Sequence, residues 1–592
     1  MFILGSAAVI QAVFLPGFLL LRWIRTGDGF LKTLVYSFAL SLALNHVLVF
    51  VLALLRWYTP FTMYSIFGTE LILVALLCWR DRSRPLTDVL RGDADRFQIL
   101  LEDFNNQPPA ARFVLRLGLV CSLVVVSLCF FEVAYSAATV FNQWDAVVSY
   151  NRWASIWGRN EIPPYTDGYP QLLPIAYSIT YVFLRSTEVQ FFAKALPALF
   201  PLMMLLASLD LALRQKDATY LFGTAFASLL LFILLKSLMF SGYADAPVAS
   251  LAFISFCILM EAGRYQARDM RLRHWLIAGL TMGACASTKT PGLIPVLALP
   301  VLFAALGCVK GDRSAFRIPV AHIAVALLAM LVIALPWQAY RHDSSQLGIN
   351  MFGPIHQERT YVQRLLHAIS LLQQALGPVK LLFVAVATVL AALFDRRWRW
   401  VFVGLILPPV LAWGLWASYD VRNLSVAIPF IGLASAGGVI LVVARLAPHI
   451  QRTGMANRFT IGACAVSLAC LIIATDVLLP SEEISRAQLE QQRLIGDPYL
   501  NSLLYWYQSN KGFSGVILTN YEFLGHLPGL AHLYRLEFFS SPNLEDRIRA
   551  SQAKYLLNAD CVYPPDLKKG VADGRYHEEI TGTYFRLLSI SQ

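Results

Sequence analysis

Among the charged side chains of this 592-residue sequence that interrupt or border apolar runs, where a charge needs a purpose, four could carry chemistry together. Asp145 follows Asn142-Gln143-Trp144 in a polar stretch that also holds Tyr150, Arg152, Trp153, Trp157, Glu161, Asp167 and Tyr169-Pro170. A carboxylate held beside low-dielectric surroundings has a raised pKa and suits general-base work. The plainer reading of that loop is an aromatic interface belt with solvated charges. Asp245, in Ser241-Gly242-Tyr243-Ala244-Asp245-Ala246-Pro247, is a second candidate acid, and Asp ahead of Ala-Pro is also a good helix N-cap. Lys289, in Ser287-Thr288-Lys289-Thr290-Pro291-Gly292, separates two apolar runs and can hold a phosphate as a point charge. Arg422, in Ser418-Tyr419-Asp420-Val421-Arg422-Asn423, has the planar fork that fits phosphate oxygens, or pairs with Asp420 at a surface. The loop from Arg341 to Arg364 adds His342, His356 and Arg359, readable as interface anchors. Glu358 to Gln374 is amphipathic enough to lie on a membrane.

Other polar motifs lead nowhere. Asp93-Ala94-Asp95 resembles a nucleotide-sugar metal pair, but its loop is too short for a nucleotide fold, so a solvated charge cluster is expected. His577-Glu578-Glu579 lacks the second histidine of a zincin helix, and the absence of a P-loop removes support for ATP-driven transport. Of nine cysteines, eight lie in apolar segments and Cys561 alone in a polar one, with no CxxC spacing, so neither a disulfide framework nor zinc is indicated.

The elements that must position these residues are membrane helices. The composition is 57% hydrophobic and 14% charged, against about 25% charged in soluble domains, which excludes a water-soluble enzyme. Helices of about 20 apolar residues cross a bilayer. About fourteen candidates follow: 2–21, 33–55, 62–79, 113–135, 195–213, 219–240, 245–262, 274–289, 292–308, 318–337, 378–394, 399–417, 424–444 and 459–478. The first is a retained span rather than a cleavable signal, because its charges, Arg22 and Arg25, follow it.

The net charge of +11 resides mainly in alternate connections, such as Arg22/Arg25/Lys32, Arg214/Lys216, Arg264 to Arg273 and Arg396/Arg397/Arg399. That pattern writes orientation and puts those loops in the cytoplasm, so the basicity is topology and not a nucleic-acid surface. Tyr169 to Leu184 is a fifteenth apolar stretch. If it crossed, a strongly basic loop would have to face outward, so it is expected as a juxtamembrane or re-entrant helix on the outer face. The candidate residues then share that face. The chain divides into additional N-terminal helices with a cytoplasmic loop (1–112), a transmembrane core (113–480) and a small outer α/β domain (481–592). In the last, we expect a helix from Ser481 to Ile495, strands at Val516 to Leu518, Lys554 to Leu557 and Tyr584 to Ile590, and a helix after Asn520.

With these residues placed, residues 113–445 resemble the GT-C superfamily of polyprenyl-phosphate-sugar glycosyltransferases, in its bacterial protein mannosyltransferase-like and lipid A aminoarabinose transferase-like branch. Trp144-Asp145 is similar to the family's first acid in the first outer loop. Tyr169-Pro170-Gln171-Leu172-Leu173-Pro174 resembles the motif opening the juxtamembrane helix, and Gly242-Tyr243-Ala244-Asp245 the second acidic site. Thr288-Lys289-Thr290-Pro291-Gly292 resembles a Thr-Lys element, and Arg422 with Pro429-Phe430 a late Arg-to-Pro segment. Two features depart from the pattern: Asp145 is followed by Ala146 rather than a second acid, and the proline-leucine motif reads Tyr-Pro-Gln-Leu.

The resemblance implies a GT-C-like fold and transfer of a sugar from a polyprenyl-phosphate donor to an envelope glycolipid, polysaccharide or protein. It places the site at the periplasmic face of a bacterial inner membrane. Asp145 and Asp245 are the expected catalytic acids. Lys289, Arg422, Tyr169, Asp167, Arg152 and His356 are the expected substrate and phosphate ligands. No cofactor is called for beyond the lipid-linked sugar itself, with a divalent metal left open. The competing readings are a secondary transporter or lipid flippase, which would show inverted repeats and mid-membrane charges, and a noncatalytic envelope-assembly subunit.

Overall fold

Long runs of Leu, Ala, Val and Phe leave the backbone no polar partner but itself, and the chain is accordingly helical. The computed structural model describes residues 1–26, 29–80, 86–106, 145–163, 169–187, 189–217, 219–263, 267–309, 320–341, 359–418 and 420–452, with isolated residues between them. Toward the C-terminus it describes 516–520, 535–538, 544–558, 565–583 and 585–591. The expected spans at 113–135 and 459–478, Trp144, Asp167, His356, the helix Ser481 to Ile495 and the helix after Asn520 lie outside the described residues.

The helices are α1 (Phe2–Val13), α2 (Leu15–Ile24), α3 (Phe30–Leu54), α4 (Pro60–Arg80), α5 (Leu86–Asn106), α6 (Arg152–Gly158), α7 (Leu172–Leu184), α8 (Phe191–Gln215), α9 (Thr219–Leu235), α10 (Asp245–Ala262), α11 (Arg268–Ala286), α12 (Leu293–Val309), α13 (Val320–Arg341), α14 (Tyr361–Leu376), α15 (Pro378–Phe394), an interrupted α16 (Arg396–Ala417) and α17 (Ile428–Arg452). Among the described residues eight helices are long and apolar enough to cross a membrane, or nine if the bent pair α14 and α15 is one span. Of the other expected spans, α9 and α12 are shorter, and α11 opens on Arg268, Asp269, Arg271 and Arg273. The chain is a multi-pass membrane protein.

The expected non-crossing segment is α7. Its 13 residues reach roughly 20 Å, short of the about 30 Å hydrocarbon layer. Every residue from Leu172 to Phe183 is buried, against α1, α3, α6 and α8. Protein on all sides satisfies it, as a helix that stops within a membrane requires. The amphipathic segment expected near 358–374 is α14, capped by a Thr360/Gln363 capping box, with Tyr361, Val362, Leu366 and Ile369 exposed. It meets α15 at 111° across Gly377.

Two devices lock the bundle. Gly279 of α11 has no room for a side chain, since a Cβ would lie 2.4 Å from the Ala326 carbonyl of α13, and such close backbone approach favours helix association in membranes. At the ends of the helices away from Asp245, a buried charge cluster joins four of them. Lys32 of α3 donates to the Thr26 carbonyl (2.7 Å), lies 2.9 Å from His274 Nε2 of α11 and 3.9 Å from Glu261 of α10. Arg214 of α8 bonds Asp210 (2.8 Å) and reaches Glu261 at 3.5 Å. Lys32 and Arg214, which the sequence reading counts as loop charges, are thus buried and paired. Asp93 is likewise not a solvated charge: its carboxylate accepts from the Phe30 and Leu31 N–H groups at 2.7 and 3.2 Å, capping α3.

The C-terminal region forms a five-stranded sheet of order β2-β1-β3-β5-β4. The strands are β1 (Val516–Thr519), β2 (Arg535–Phe538), β3 (Tyr555–Asn558), β4 (Tyr576–Thr581) and β5 (Arg586–Ile590). β2, β1 and β3 are parallel, and β5 returns antiparallel beside β3. β1, β3 and β5 fall where the sequence puts strands. β2 and β4 are additions, carrying Arg535, Glu537, His577, Glu578 and Glu579 in place of an unbroken apolar run.

Candidate functional site

Each site residue stands where a helix begins or a span is interrupted. Asp145 opens a π-helical turn, Ala146–Asn151, that leads into α6, a geometry that re-aims side chains and recurs at functional sites. Gly242 turns the chain with φ +102°, a value that favours glycine, and Phe141 and Ala146 pack where a side chain would go. The turn delivers Tyr243 and Asp245 to the Asp145 loop. Lys289 is extended (φ −156°) between the end of α11 and the 3-10 turn Thr290–Gly292. The Leu172 N–H donates to the Ser287 carbonyl at 2.9 Å, tying the start of α7 to the Lys289 segment. Arg422 lies in the 3-10 turn Val421–Ala427 leading into α17, capped by the Asp420 carboxylate.

These segments meet in one cluster, two hydrogen-bonded groups joined through the backbone from Tyr243 to Asp245. Arg422 is its hub: Nη1 donates to Asp145 Oδ2 at 3.1 Å and Nε to Asp420 Oδ2 at 2.6 Å. Its guanidinium lies 5.0 Å from the centre of the Tyr243 ring, a cation–π contact. The Tyr243 hydroxyl accepts the Asp145 backbone N–H at 3.1 Å. Two residues on, Asp245 Oδ1 accepts from Lys289 Nζ at 2.6 Å. Asp245 is 1% exposed, so this is a buried ion pair. The capping reading of Asp245 is corrected: Ala244 is the N-cap, Asp245 makes no side-chain cap bond, and its carboxylate goes to Lys289 instead. The Asp420–Arg422 pair is present as the plainer reading has it, and it extends to Asp145.

The environment sets these groups apart. Burial raises the Asp145 carboxyl above its ordinary range, against the opposing pull of the Arg422 charge and hydrogen bond. For Asp420 burial acts in the same direction, but hydrogen bonds and charge from Arg422 outweigh it and hold the group below the usual carboxylate value. Burial would lower Lys289, yet Asp245 keeps it above its ordinary value. Tyr243 is pushed up to about 12 by burial and by the Asp145 charge, so it stays a neutral phenol. Two carboxyl groups of the same type that share one arginine therefore differ, and Asp145 is the one poised to take a proton.

The other expected residues are placed less centrally. Tyr169 is 44% exposed, its ring 5.7 Å from that of Trp153. Its carbonyl accepts from Trp337 Nε1 at 3.1 Å and Gln171 Nε2 at 3.0 Å. Arg152 is half-buried at the start of α6. Tyr243, Asp420 and Tyr150 were not singled out as site residues by sequence reasoning. Tyr150 is buried and feels the charges of both Asp245 and Asp145. The signal for Tyr243 and Asp420 was their adjacency to Asp245 and Arg422. Asp145 and Asp245 are the pair that could face a divalent cation, but each already engages a cationic side chain, which a metal would first have to displace. Among the described residues no group of three or more His, Cys, Asp or Glu faces a common point.

No protein-family model matches the sequence, and no curated protein sequence matches it. Solved structures do. The chain superposes on crystalline ArnT from Cupriavidus metallidurans bound to undecaprenyl phosphate with a TM-score of 0.53, at 12% identity, covering 79% of this chain and 97% of that one. The apo state of the same protein gives a TM-score of 0.50 at 13% identity over the same shares. At such identity the likeness is one of fold, and the chain has the GT-C fold.

Proposed function

We propose that this protein moves a sugar from a polyprenyl-phosphate donor to a hydroxyl of a cell-envelope acceptor, at the outer face of a bacterial inner membrane. The observation that carries the reading is the cluster itself. Three remote segments bring one proton acceptor, Asp145, and two cations, Lys289 and Arg422, to one end of the bundle. The ArnT structure of the same fold holds undecaprenyl phosphate. The opposite helix ends carry Arg25, Lys216, Arg268 and Arg273, which supports the outward assignment.

A sugar joined to a lipid phosphate is already activated, so the protein has two tasks. It must take the acceptor's proton and hold the charge that the departing phosphate gathers. In this account the acceptor oxygen attacks the anomeric carbon while its proton passes to an Asp145 oxygen. The bond from that carbon to the phosphate oxygen breaks, and polyprenyl phosphate leaves with its charge facing Arg422 and Lys289. Asp245 orients Lys289, and Tyr243 fixes the Asp145 backbone and carries the Arg422 plane. Binding of undecaprenyl phosphate to the purified protein tests the anion site. Each charge-assisted hydrogen bond is worth about 1.5–3 kcal/mol, so Lys289→Met and Arg422→Gln should each weaken binding about tenfold or more. Unchanged affinity in both would remove the phosphate from this site.

A further inference from the structure

The N-terminal helices hold an acid that the transfer cluster does not use. Glu70 lies at the middle of α4, roughly 15 Å along the axis from either end, which is mid-membrane for a spanning helix. Met63 and Glu70 are the buried residues of that helix, with Glu70 only 9% exposed. Its polar neighbour is Gln11 of α1, fully buried, whose Nε2 donates to Glu70 Oε1 at 3.4 Å.

Around this contact the first span is broken. Pro16 has no N–H to return to the Ala12 carbonyl, and the helix is interrupted at Phe14 (φ −138°). Asn45 of α3 repairs the gap, donating from Nδ2 to the Gln11 and Ala12 carbonyls at 2.8 and 3.1 Å. The Gly17 N–H goes to Ser41 Oγ at 2.9 Å. Both amide hydrogens of Asn45 are therefore spent. Among the described residues three buried atoms lack a partner here, Glu70 Oε2, Gln11 Oε1 and Asn45 Oδ1, and all three are oxygens that only accept while Glu70 is ionised.

The cations on the described elements around α4 are engaged elsewhere. Of the helices against α4, α2 brings Arg22, which lies over the Phe18 ring, and α7 brings Tyr177 and Tyr181, whose hydroxyls donate to the Gly242 carbonyl and to Asn151, and at its C-cap Arg185, whose guanidinium lies 5.6 Å from the centre of the Tyr64 ring. Tyr64 of α4 itself donates to the Phe183 carbonyl, and α1 carries no charge. Among the described residues Glu70 makes no ion pair. An ionised carboxylate amid hydrocarbon is costly, and buried acids in spans are retained for a reason.

We propose that Glu70 is an intramembrane proton-binding site: its carboxyl holds a proton on Oε2, donated to an unpartnered amide oxygen of the first span. The bound proton clasps α4, whose other side chains mostly face outward, to the broken helix through a neutral pair. Loss of the proton leaves a bare charge and releases the clasp. This inference stands apart from the transfer reading.

Infrared difference spectra of the full-length protein in lipid nanodiscs, wild type against Glu70→Gln, test it. At pH 7 the wild type should show a protonated-carboxyl stretch that Glu70→Gln loses. The variant should keep the wild-type thermal midpoint, because glutamine is the neutral isostere. A carboxylate stretch at pH 7 in place of the carboxyl band overturns the proposal. So does a Glu70→Gln protein that fails to fold, since a neutral side chain would then not substitute for the acid.

Discussion

At the scale of single residues the account rests on how Arg422 divides its charge between two carboxylates. Asp145 titrates above the ordinary carboxylate range because burial outweighs Arg422, and a base works only when ionised. Transfer should therefore fall on the acid side at a higher pH than an exposed aspartate would give. Arg422→Gln removes a charge that lowers that value, so the acid limb of kcat/KM should move up further; a limb that stays in place would detach Asp145 from the rate. The Lys289–Asp245 pair makes a separate prediction. Lys289→Met leaves a buried, uncompensated carboxylate and should cost about 3–5 kcal/mol of stability, read as a lower thermal midpoint. Asp245→Asn with Lys289→Met should restore most of that stability without restoring transfer, whereas an active double variant would make the pair purely structural. Asp145, Lys289 and Arg422 were legible in the sequence because a charge beside an apolar run is conspicuous. Tyr243 was not, since its contribution depends on the Gly242 turn presenting its hydroxyl to the Asp145 N–H and its ring to Arg422.

At the scale of elements, breaks in helices matter as much as the helices. Hydropathy shows the first span as one run, while the structure divides it at Phe14, with Asn45 and Ser41 supplying the missing hydrogen bonds. Asn45→Ala should destabilise by about 1 kcal/mol, the scale of interhelical hydrogen bonds in membranes. The cost should shrink in a Pro16→Ala background, where the backbone can bond to itself; equal costs in both backgrounds would refute the repair. Gly242→Ala should disrupt the cluster, since φ +102° suits glycine and Phe141 occupies the space. It should lower transfer more than it lowers the thermal midpoint. The charge of the neighbouring loops marked α7 in the sequence as a helix that does not cross, and its 13 residues agree. β4 escaped notice because His577, Glu578 and Glu579 interrupt its alternation, and they sit exposed; β2 is only four residues long, two of them charged.

For the whole molecule, the two charged centres divide the bundle. Helix α10 starts at Asp245 in one and carries Glu261 to the other in its last turn, roughly 24 Å away along the axis. The far centre ties the N-terminal helices to the core through Lys32, so these helices pack with the core rather than trailing from it. The charge pattern of the loops made fold class legible, because burying so apolar a chain leaves few arrangements and orientation is written in Lys and Arg. The pairing of Lys32 and Arg214 inside the protein was invisible, since a sequence shows charge but not its partner. Cysteines at exposed positions of the same outer loop, Arg159→Cys and Tyr169→Cys, should both react with a membrane-impermeant reagent from outside the cell, and labelling from the cytoplasm would invert the topology. The most direct test is mass analysis of envelope glycans in a strain lacking this protein, complemented with wild type or with Asp145→Asn at equal expression. A sugar modification should be lost in the deletion, restored by wild type and not restored by Asp145→Asn. Full restoration by Asp145→Asn would contradict it.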